Sequence, residues 1–189
     1  MPDAAKLRPA VFLDRDGTIS EEVGYLNHAS RFRIFPFVAK AICNLNEAGF
    51  AVVVVTNQSG VGRGYFPETL VQTVHELMTQ QLIADGARID AIYYCPHVKT
   101  DGCDCRKPET GMLKLAAKEH ALDLSRSFVV GDRFSDIELA HNANAKSILV
   151  RTGYGAGELE WHAGKWSIQP DHVAETLTEA TEWILRQPR

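Results

Sequence analysis

Two carboxylates, Asp14 and Asp16, follow three apolar residues, Val11, Phe12 and Leu13, in the segment VFLDRDGTIS. The apolar residues have the character of a short buried strand, and the acidic pair sits at its end, followed by Gly17 and Thr18. Carboxylates that are brought together and lose water repel one another, so they call for a cation. A hard divalent ion with oxygen ligands from Asp14 and from the backbone near Asp16 meets that need. Gly17 lets the backbone pass close to a ligand. A polar turn that merely ends a strand is the plainer alternative for this segment taken alone.

In open parallel sheets, ligands bind outside the carboxyl ends of the strands, so the polar residues that follow the other apolar runs matter as well. Thr56 and Asn57 follow the β-branched run AVVVVT, and Asp132 and Asp136 follow Phe128 to Val130 in GDRFSD. Lys107 lies in RKPETG, just before a helical stretch. Together they form a charge-balanced set, with acidic groups for a cation and a lysine and a hydroxyl for an anion. Singly, each has a bland explanation. Thr56 suits a strand, Lys107 suits solvent, and Asp132 and Asp136 suit a turn and a cap. Their joint occurrence at strand ends points to a site.

Three of the four cysteines crowd into CPHVKTDGCDCRKP, where a Cys-x-His pair (Cys95, His97) and a Cys-x-Cys pair (Cys103, Cys105) are separated by five residues. In a reducing compartment this crowding favours metal over disulfides. Four soft ligands suit tetrahedral zinc and leave no open position, so the expected role is structural. A reduced thiol cluster or an adventitious disulfide is the alternative. Cys105 directly precedes Arg106 and Lys107, so zinc here would set the position of both side chains. Cys43 falls on the apolar face of a helical stretch and is expected in the core.

The chain that must position these groups has 189 residues, 45% hydrophobic and 23% charged, with a net charge of -4. One domain over residues 1–189 is expected, large enough for a real core. The charge provides no basic footprint for nucleic acid. No apolar run reaches the length of a membrane span, and MPDAAKLRP lacks the apolar segment of a signal peptide, so a cytoplasmic protein is expected. Strands are predicted at 10–13, 51–56, 91–94, 128–130 and 147–150. Helices are predicted at 37–48, from Pro67 to Ala84, at 110–121 carrying Leu113, Leu115 and Ala116, and to about 143 after a Ser135 cap. A last helix is predicted from an Asp171 cap to about Arg186, with Val173, Leu177, Ala180 and Ile184 on its apolar face. Residues 20–35 and 151–170 read as irregular. Strands alternating with helices call for an α/β fold with a parallel sheet covered on both faces.

In this order and spacing, DRDGT, VVVTNQSG, RKPETG and GDRFSD resemble the four signature motifs of the haloacid dehalogenase (HAD) superfamily of phosphotransferases. The resemblance implies a three-layer, Rossmann-like HAD fold and a catalytic set of Asp14, Asp16, Thr56 and Lys107. Asp14 would be the nucleophile that forms an aspartyl-phosphate. Asp16 would protonate the leaving alcohol and then activate water. Thr56 and Lys107 would hold the phosphoryl oxygens. Magnesium would be held by the Asp14 carboxylate, the Asp16 backbone carbonyl and Asp132, with Asp136 direct or through water. One loop and one helix fill the stretch from Asp14 to Thr56, which leaves no room for a cap domain. A capless enzyme follows, with loops near 22–25, 58–66 and 96–106 selecting the substrate.

The zinc loop within this framework is similar to one branch of the superfamily. That branch holds the D-glycero-D-manno-heptose 1,7-bisphosphate phosphatases and the histidinol-phosphate phosphatases. TNQSGVGRGYF is more similar to the heptose enzymes, whereas the five residues between His97 and Cys103 are nearer the histidinol-phosphate type. The implied activity is magnesium-dependent removal of the 7-phosphate from heptose 1,7-bisphosphate, a step toward bacterial lipopolysaccharide or nucleotide-activated heptose. Histidinol-phosphate phosphatase is the same-class alternative, and a non-catalytic phosphosugar-binding module the different-class one. The resemblance implies that Glu22, Val23, Gly24, Tyr25, Thr56, Asn57, Gln58, Ser59, Arg106, Lys107 and Arg133 line the sugar bisphosphate. The expected partner is this small molecule alone, with no nucleic acid, no membrane and a monomeric chain.

Overall fold

The computed structural model describes residues 7–188. Six strands, β1 (Ala10–Leu13), β2 (Ala51–Asn57), β3 (Ala91–Cys95), β4 (Phe128–Gly131), β5 (Lys146–Val150) and β6 (His172–Ala174), form one sheet in the order β3-β2-β1-β4-β5-β6. Every pairing is parallel. The order reverses direction at β1, and the crevice outside the carboxyl ends of β1 and β4 is the switch point where such sheets bind ligands.

Period-two alternation along each strand divides the core in two. Val11 and Leu13 of β1, Val52 and Val54 of β2, and Phe128 and Val130 of β4 enter one apolar cluster. That cluster is completed by α1 (Val38–Glu47), α2 (Glu68–Ala84) and α6 (Leu177–Leu185). Ala10, Phe12, Ala51, Val53, Val55 and Val129 enter the other cluster, with α3 (Gly111–His120) and α4 (Phe134–Asn142). Strands buried on both faces explain why these segments are continuous apolar runs. Each fully buried Leu, Val or Phe contributes roughly 1.5–3 kcal/mol relative to exposure.

The five expected strands are present, and a sixth joins them. Val173 lies in β6 and Asp171 does not cap a helix: its Oδ2 accepts from the backbone N and Oγ of Ser147, at 2.8 and 3.0 Å, which pins the edge strand to β5. The last helix starts only after Thr176. Residues 151–170 contain α5 (Gly155–Trp161) and a short turn at Ala163–Lys165. Of the two glycines in this helix, Gly155 is required by packing, since a Cβ there would lie 1.8 Å from the Val150 carbonyl oxygen.

Smaller corrections concern caps and faces. Helix α4 begins at Phe134, and its first turn is closed by the Asp136 carboxylate, which accepts from the Arg133 N–H at 3.1 Å. Ser135 is inside the helix and faces the cleft. In α3 the inward residues are Met112, Leu113 and Ala116, while Leu115 is exposed. Cys43 is half-buried against the larger cluster. Between Asp14 and Thr56 lie a loop, one short turn (Ala29–Arg31) and α1. Between Thr56 and Lys107 lie α2, β3 and one short turn (Lys99–Asp101), so no cap is inserted at either point.

Candidate active site

Strand register brings the polar residues together. Leu13 pairs with Val54 on one side and Val130 on the other. Asp14, one residue on, donates its N–H to the Val130 carbonyl at 2.9 Å. Thr56 and Asp132, each two residues beyond those partners, therefore flank it. Asp14, Thr56, Lys107, Asp132 and Asp136 are all buried.

Lys107 comes from the loop after β3 and is held by its backbone. Its N–H donates to Asn57 Oδ1 at 3.1 Å, and Asn57 Nδ2 donates to the Lys107 carbonyl at 3.3 Å. Its Nζ lies 2.8 Å from Asp14 Oδ1 and 2.7 Å from Asp136 Oδ1, and donates to the Val55 carbonyl at 3.2 Å. The contact with Asp136 Oδ1 is a close ion pair.

One ammonium does not balance three buried carboxylates. Burial pushes the Asp14 carboxyl up to about 6, against the pull of Lys107 and with the charges of Asp136 and Asp16 adding to it. Burial, reinforced by Asp14 and Asp136, pushes Asp132 up to about 8. Oxygens of Asp14, Asp132 and Asp136 lie within 4.8 Å of one another, and Asp132 Oδ1 is buried with no hydrogen-bond partner. Such a set fits a small hard cation, whose oxygen ligands sit roughly 3–4 Å apart. The other oxygen of Asp132 accepts from the Tyr154 N–H at 2.8 Å.

The cysteine loop is similarly prepared. Cys95 Sγ lies 3.6 Å from His97 Nδ1, 3.6 Å from Cys103 Sγ and 3.1 Å from Cys105 Sγ. Cys105 Sγ lies 3.3 Å from His97 Nδ1 and 3.5 Å from Cys103 Sγ. A tetrahedral zinc site has edges of roughly 3.5–3.8 Å, close to this arrangement. All four cysteines are free thiols, and no disulfide competes. Arg106 Nη1 donates to the His97 carbonyl at 3.1 Å, so the guanidinium is tied to the same loop.

Above these groups opens a cleft of about 720 Å³. All of the residues expected to meet substrate line it except Val23. The Val23 side chain instead packs against the larger apolar cluster, as its chemistry favours. Glu22 accepts from the Gly24 N–H, and partial burial raises its pKa. Arg63, Lys99, Glu138 and Tyr154 also line the cleft and were not singled out from sequence, and Ser135, expected only as a cap, lines it too. Arg63 and Lys99 are cations of the loops expected to select substrate, so their charge was the available signal. Tyr154 follows β5, and the strand-end rule applied to that strand would have reached it. Arg133 stacks over the Tyr154 ring, 3.8 Å from its centroid. Arg15, wholly buried beside Asp16, had no signal in composition or spacing.

A parallel sheet of this order, with an acidic pair, a hydroxyl, a lysine and further carboxylates gathered at its switch point, defines a phosphatase of the HAD type. The HAD-hydrolase-like family model matches residues 104–180. The chain is 44% identical over 188 residues to the D-glycero-D-manno-heptose-1,7-bisphosphate 7-phosphatase of Thermosynechococcus vestitus, covering 94% of this chain and 95% of that protein. It is 43% identical to the D-glycero-beta-D-manno-heptose-1,7-bisphosphate 7-phosphatase of Escherichia coli K12, covering 98% of each. A crystal structure of the D,D-heptose 1.7-bisphosphate phosphatase from B. bronchiseptica, complexed with magnesium and phosphate, superposes with a TM-score of 0.87 at 33% identity, covering 95% of this chain and 99% of that one. The chain belongs to the D-glycero-D-manno-heptose-1,7-bisphosphate 7-phosphatase family of HAD-like hydrolases.

Proposed function

We propose that this chain, a single HAD-type domain, removes the 7-phosphate from D-glycero-D-manno-heptose 1,7-bisphosphate. The observation that carries the substrate is the charge of the cleft. Arg63, Lys99, Arg106 and Arg133 line it in addition to the Lys107 centre. Four further cations match a substrate with a second phosphate. Glu22, Glu109 and Glu138 line the cleft as well, so the preference over histidinol phosphate rests on the second phosphate these cations can meet rather than on repulsion of an ammonium. The names of the relatives support the same choice.

In the proposed chemistry an Asp14 carboxylate oxygen attacks phosphorus, and the bond from phosphorus to the sugar oxygen breaks. The departing oxygen takes a proton from Asp16. A water molecule then returns its proton to Asp16 and attacks the aspartyl-phosphate, releasing phosphate and restoring the Asp14 carboxylate. Lys107 and Thr56 hold phosphoryl oxygens as charge redistributes. Asp14, Asp132, Asp136 and the Asp16 backbone carbonyl would hold magnesium, which supplies neutralising charge to the phosphoryl group and the buried carboxylates. Zinc on Cys95, His97, Cys103 and Cys105 would fix the loop that presents Arg106 and Lys107. Among the described residues no helix is long and apolar enough to cross a membrane.

The test is phosphate release from both anomers of heptose 1,7-bisphosphate and from histidinol phosphate, with magnesium present. The heptose substrate is expected to be preferred, and Asp14→Asn is expected to fold and release no phosphate. Preference for histidinol phosphate would overturn the substrate assignment. Turnover by Asp14→Asn would overturn the nucleophile.

A further inference from the structure

We propose that Arg15 and His75 form a buried positioning pair that sets the orientation of the Asp16 carboxylate in the cleft. Arg15 is 1% exposed, unusual for an arginine unless it is fully paired. Its Nε donates to Asp16 Oδ1 at 3.1 Å and its Nη2 to Asp16 Oδ2 at 2.7 Å. A planar fork of this kind fixes the plane of a carboxylate as well as its position. The remaining arm, Nη1, lies 3.2 Å from His75 Nε2. Guanidinium can only donate, so His75 Nε2 accepts and the imidazole is neutral. Burial and the Arg15 charge, which hold His75 down to about 4, agree with that state.

His75 stands on α2, and the edge of its ring packs against Tyr94 at 5.5 Å between centroids. The helix thus braces the arginine from behind. Gln58 adds a third donor from the cleft side, with Nε2 at 2.9 Å from Asp16 Oδ2 and 2.9 Å from Thr56 Oγ1. Both oxygens of Asp16 are therefore held, while its side chain keeps 18% exposure and lines the cleft. Buried ion pairs add little stability over well-packed apolar residues. A buried arginine whose fork is given wholly to a residue in the cleft is better accounted for by orientation than by stability.

This proposal rests on the reading of Asp16 as the proton donor. An alcohol leaving group needs that proton as its bond to phosphorus breaks, whereas a nitrophenolate leaves without it. Misorienting the acid should therefore slow alcohol esters selectively. The experiment compares kcat/KM on heptose 1,7-bisphosphate with kcat/KM on p-nitrophenyl phosphate. The variants are Arg15→Met, His75→Leu, His75→Gln and Asp16→Asn, each checked for folding by circular dichroism and zinc content. Arg15→Met is expected to lose about 10- to 100-fold on the sugar ester and no more than about threefold on the aryl ester. Arg15→Lys, which keeps the charge without the fork, replaces it should the Met variant fail to fold. His75→Leu should lose in the same selective sense, and His75→Gln, whose amide oxygen can accept from Arg15, should stay near wild type. Equal losses on both esters, or losses that follow the folded fraction, would overturn the positioning role. A selective loss in Asp16→Asn without one in either Arg15 variant would overturn it while sparing the acid assignment. No selective loss in Asp16→Asn would overturn the acid assignment and this proposal with it.

Discussion

The Lys107 ammonium lies between two carboxylates, 2.8 Å from Asp14 and 2.7 Å from Asp136, with only 3% of its side chain exposed. Burial works against its charge, yet Asp136 and Asp14 more than offset this and hold its pKa above the ordinary lysine range. Lys107 is the resident counter-charge of the proposed nucleophile, and its position depends on Asn57 and on the loop that carries the four soft ligands.

Removing that charge should expose the balance. Lys107→Met leaves Asp14, Asp132 and Asp136 with no buried cation, a kind of loss that costs about 3–5 kcal/mol. The variant is expected to melt well below wild type without magnesium and to gain more than wild type when magnesium is added. Its phosphate release should fall about 100-fold or more. Thermal melts with and without magnesium check the first expectation. An equal magnesium shift in both proteins would refute the shared-charge account.

Gly153 closes the far side of the same centre. Its φ is +57°, and a Cβ there would lie 2.2 Å from Asp132 Oδ2 and 2.5 Å from Gly17 Cα. Thr152 Oγ1 donates to the Gly17 carbonyl beside it. Gly153→Ala is expected to fold, because the clash is local, but to displace Asp132. The magnesium concentration giving half-maximal activity should rise about tenfold or more, an effect in the range seen when partners of metal ligands are lost. Titration of activity with magnesium measures it.

The thiol cluster predicts about one zinc per chain by elemental analysis, as a closed four-ligand site holds a single ion. Cys105→Ser should reduce that content and loosen Arg106 and Lys107 together. The expected kinetic result is a loss in kcat/KM on the bisphosphate, with a lower melting temperature. A zinc-free preparation with full activity would remove zinc from the account.

His75 should make stability depend on pH. Its pKa is about 4 in the fold, against 6.5 for an unperturbed histidine. Between those values the unfolded chain binds a proton that the folded chain does not. Stability therefore falls as pH drops through that window. From pH 7 to pH 5 this group should account for about 2 kcal/mol. Urea unfolding of wild type and His75→Gln at both pH values isolates the contribution, since zinc and carboxylate effects are common to both. An identical pH response in the two proteins would contradict the buried neutral imidazole.

The continuous apolar runs of β1, β2 and β4 were legible because strands buried on both faces cannot be anything but apolar. The polar residues at their ends stood out against them for the same reason. The edge of the sheet was less legible. A three-residue strand such as β6 has too few positions to show a period, and Asp171 before an apolar run resembles a cap when its partner, Ser147, is not known. Helix α5 was hidden by its glycines, of which Gly155 is there for close packing against Val150.

The sequence by itself determined the parallel α/β fold, the carboxylates at the end of β1, and the four soft ligands. These rest on local pattern and on spacing within one segment. Only the tertiary structure decided how the acidic pair divides. Asp14 faces Lys107 and the other carboxylates, while Asp16 is turned away onto the buried Arg15, Gln58 and, through Arg15, His75. Those partners lie 60 residues apart in one case, and whether an arginine beside two aspartates is solvated or buried depends on what packs over it. That is set by the register of the sheet and the docking of α2, neither of which leaves a mark on the residues DRDGT themselves.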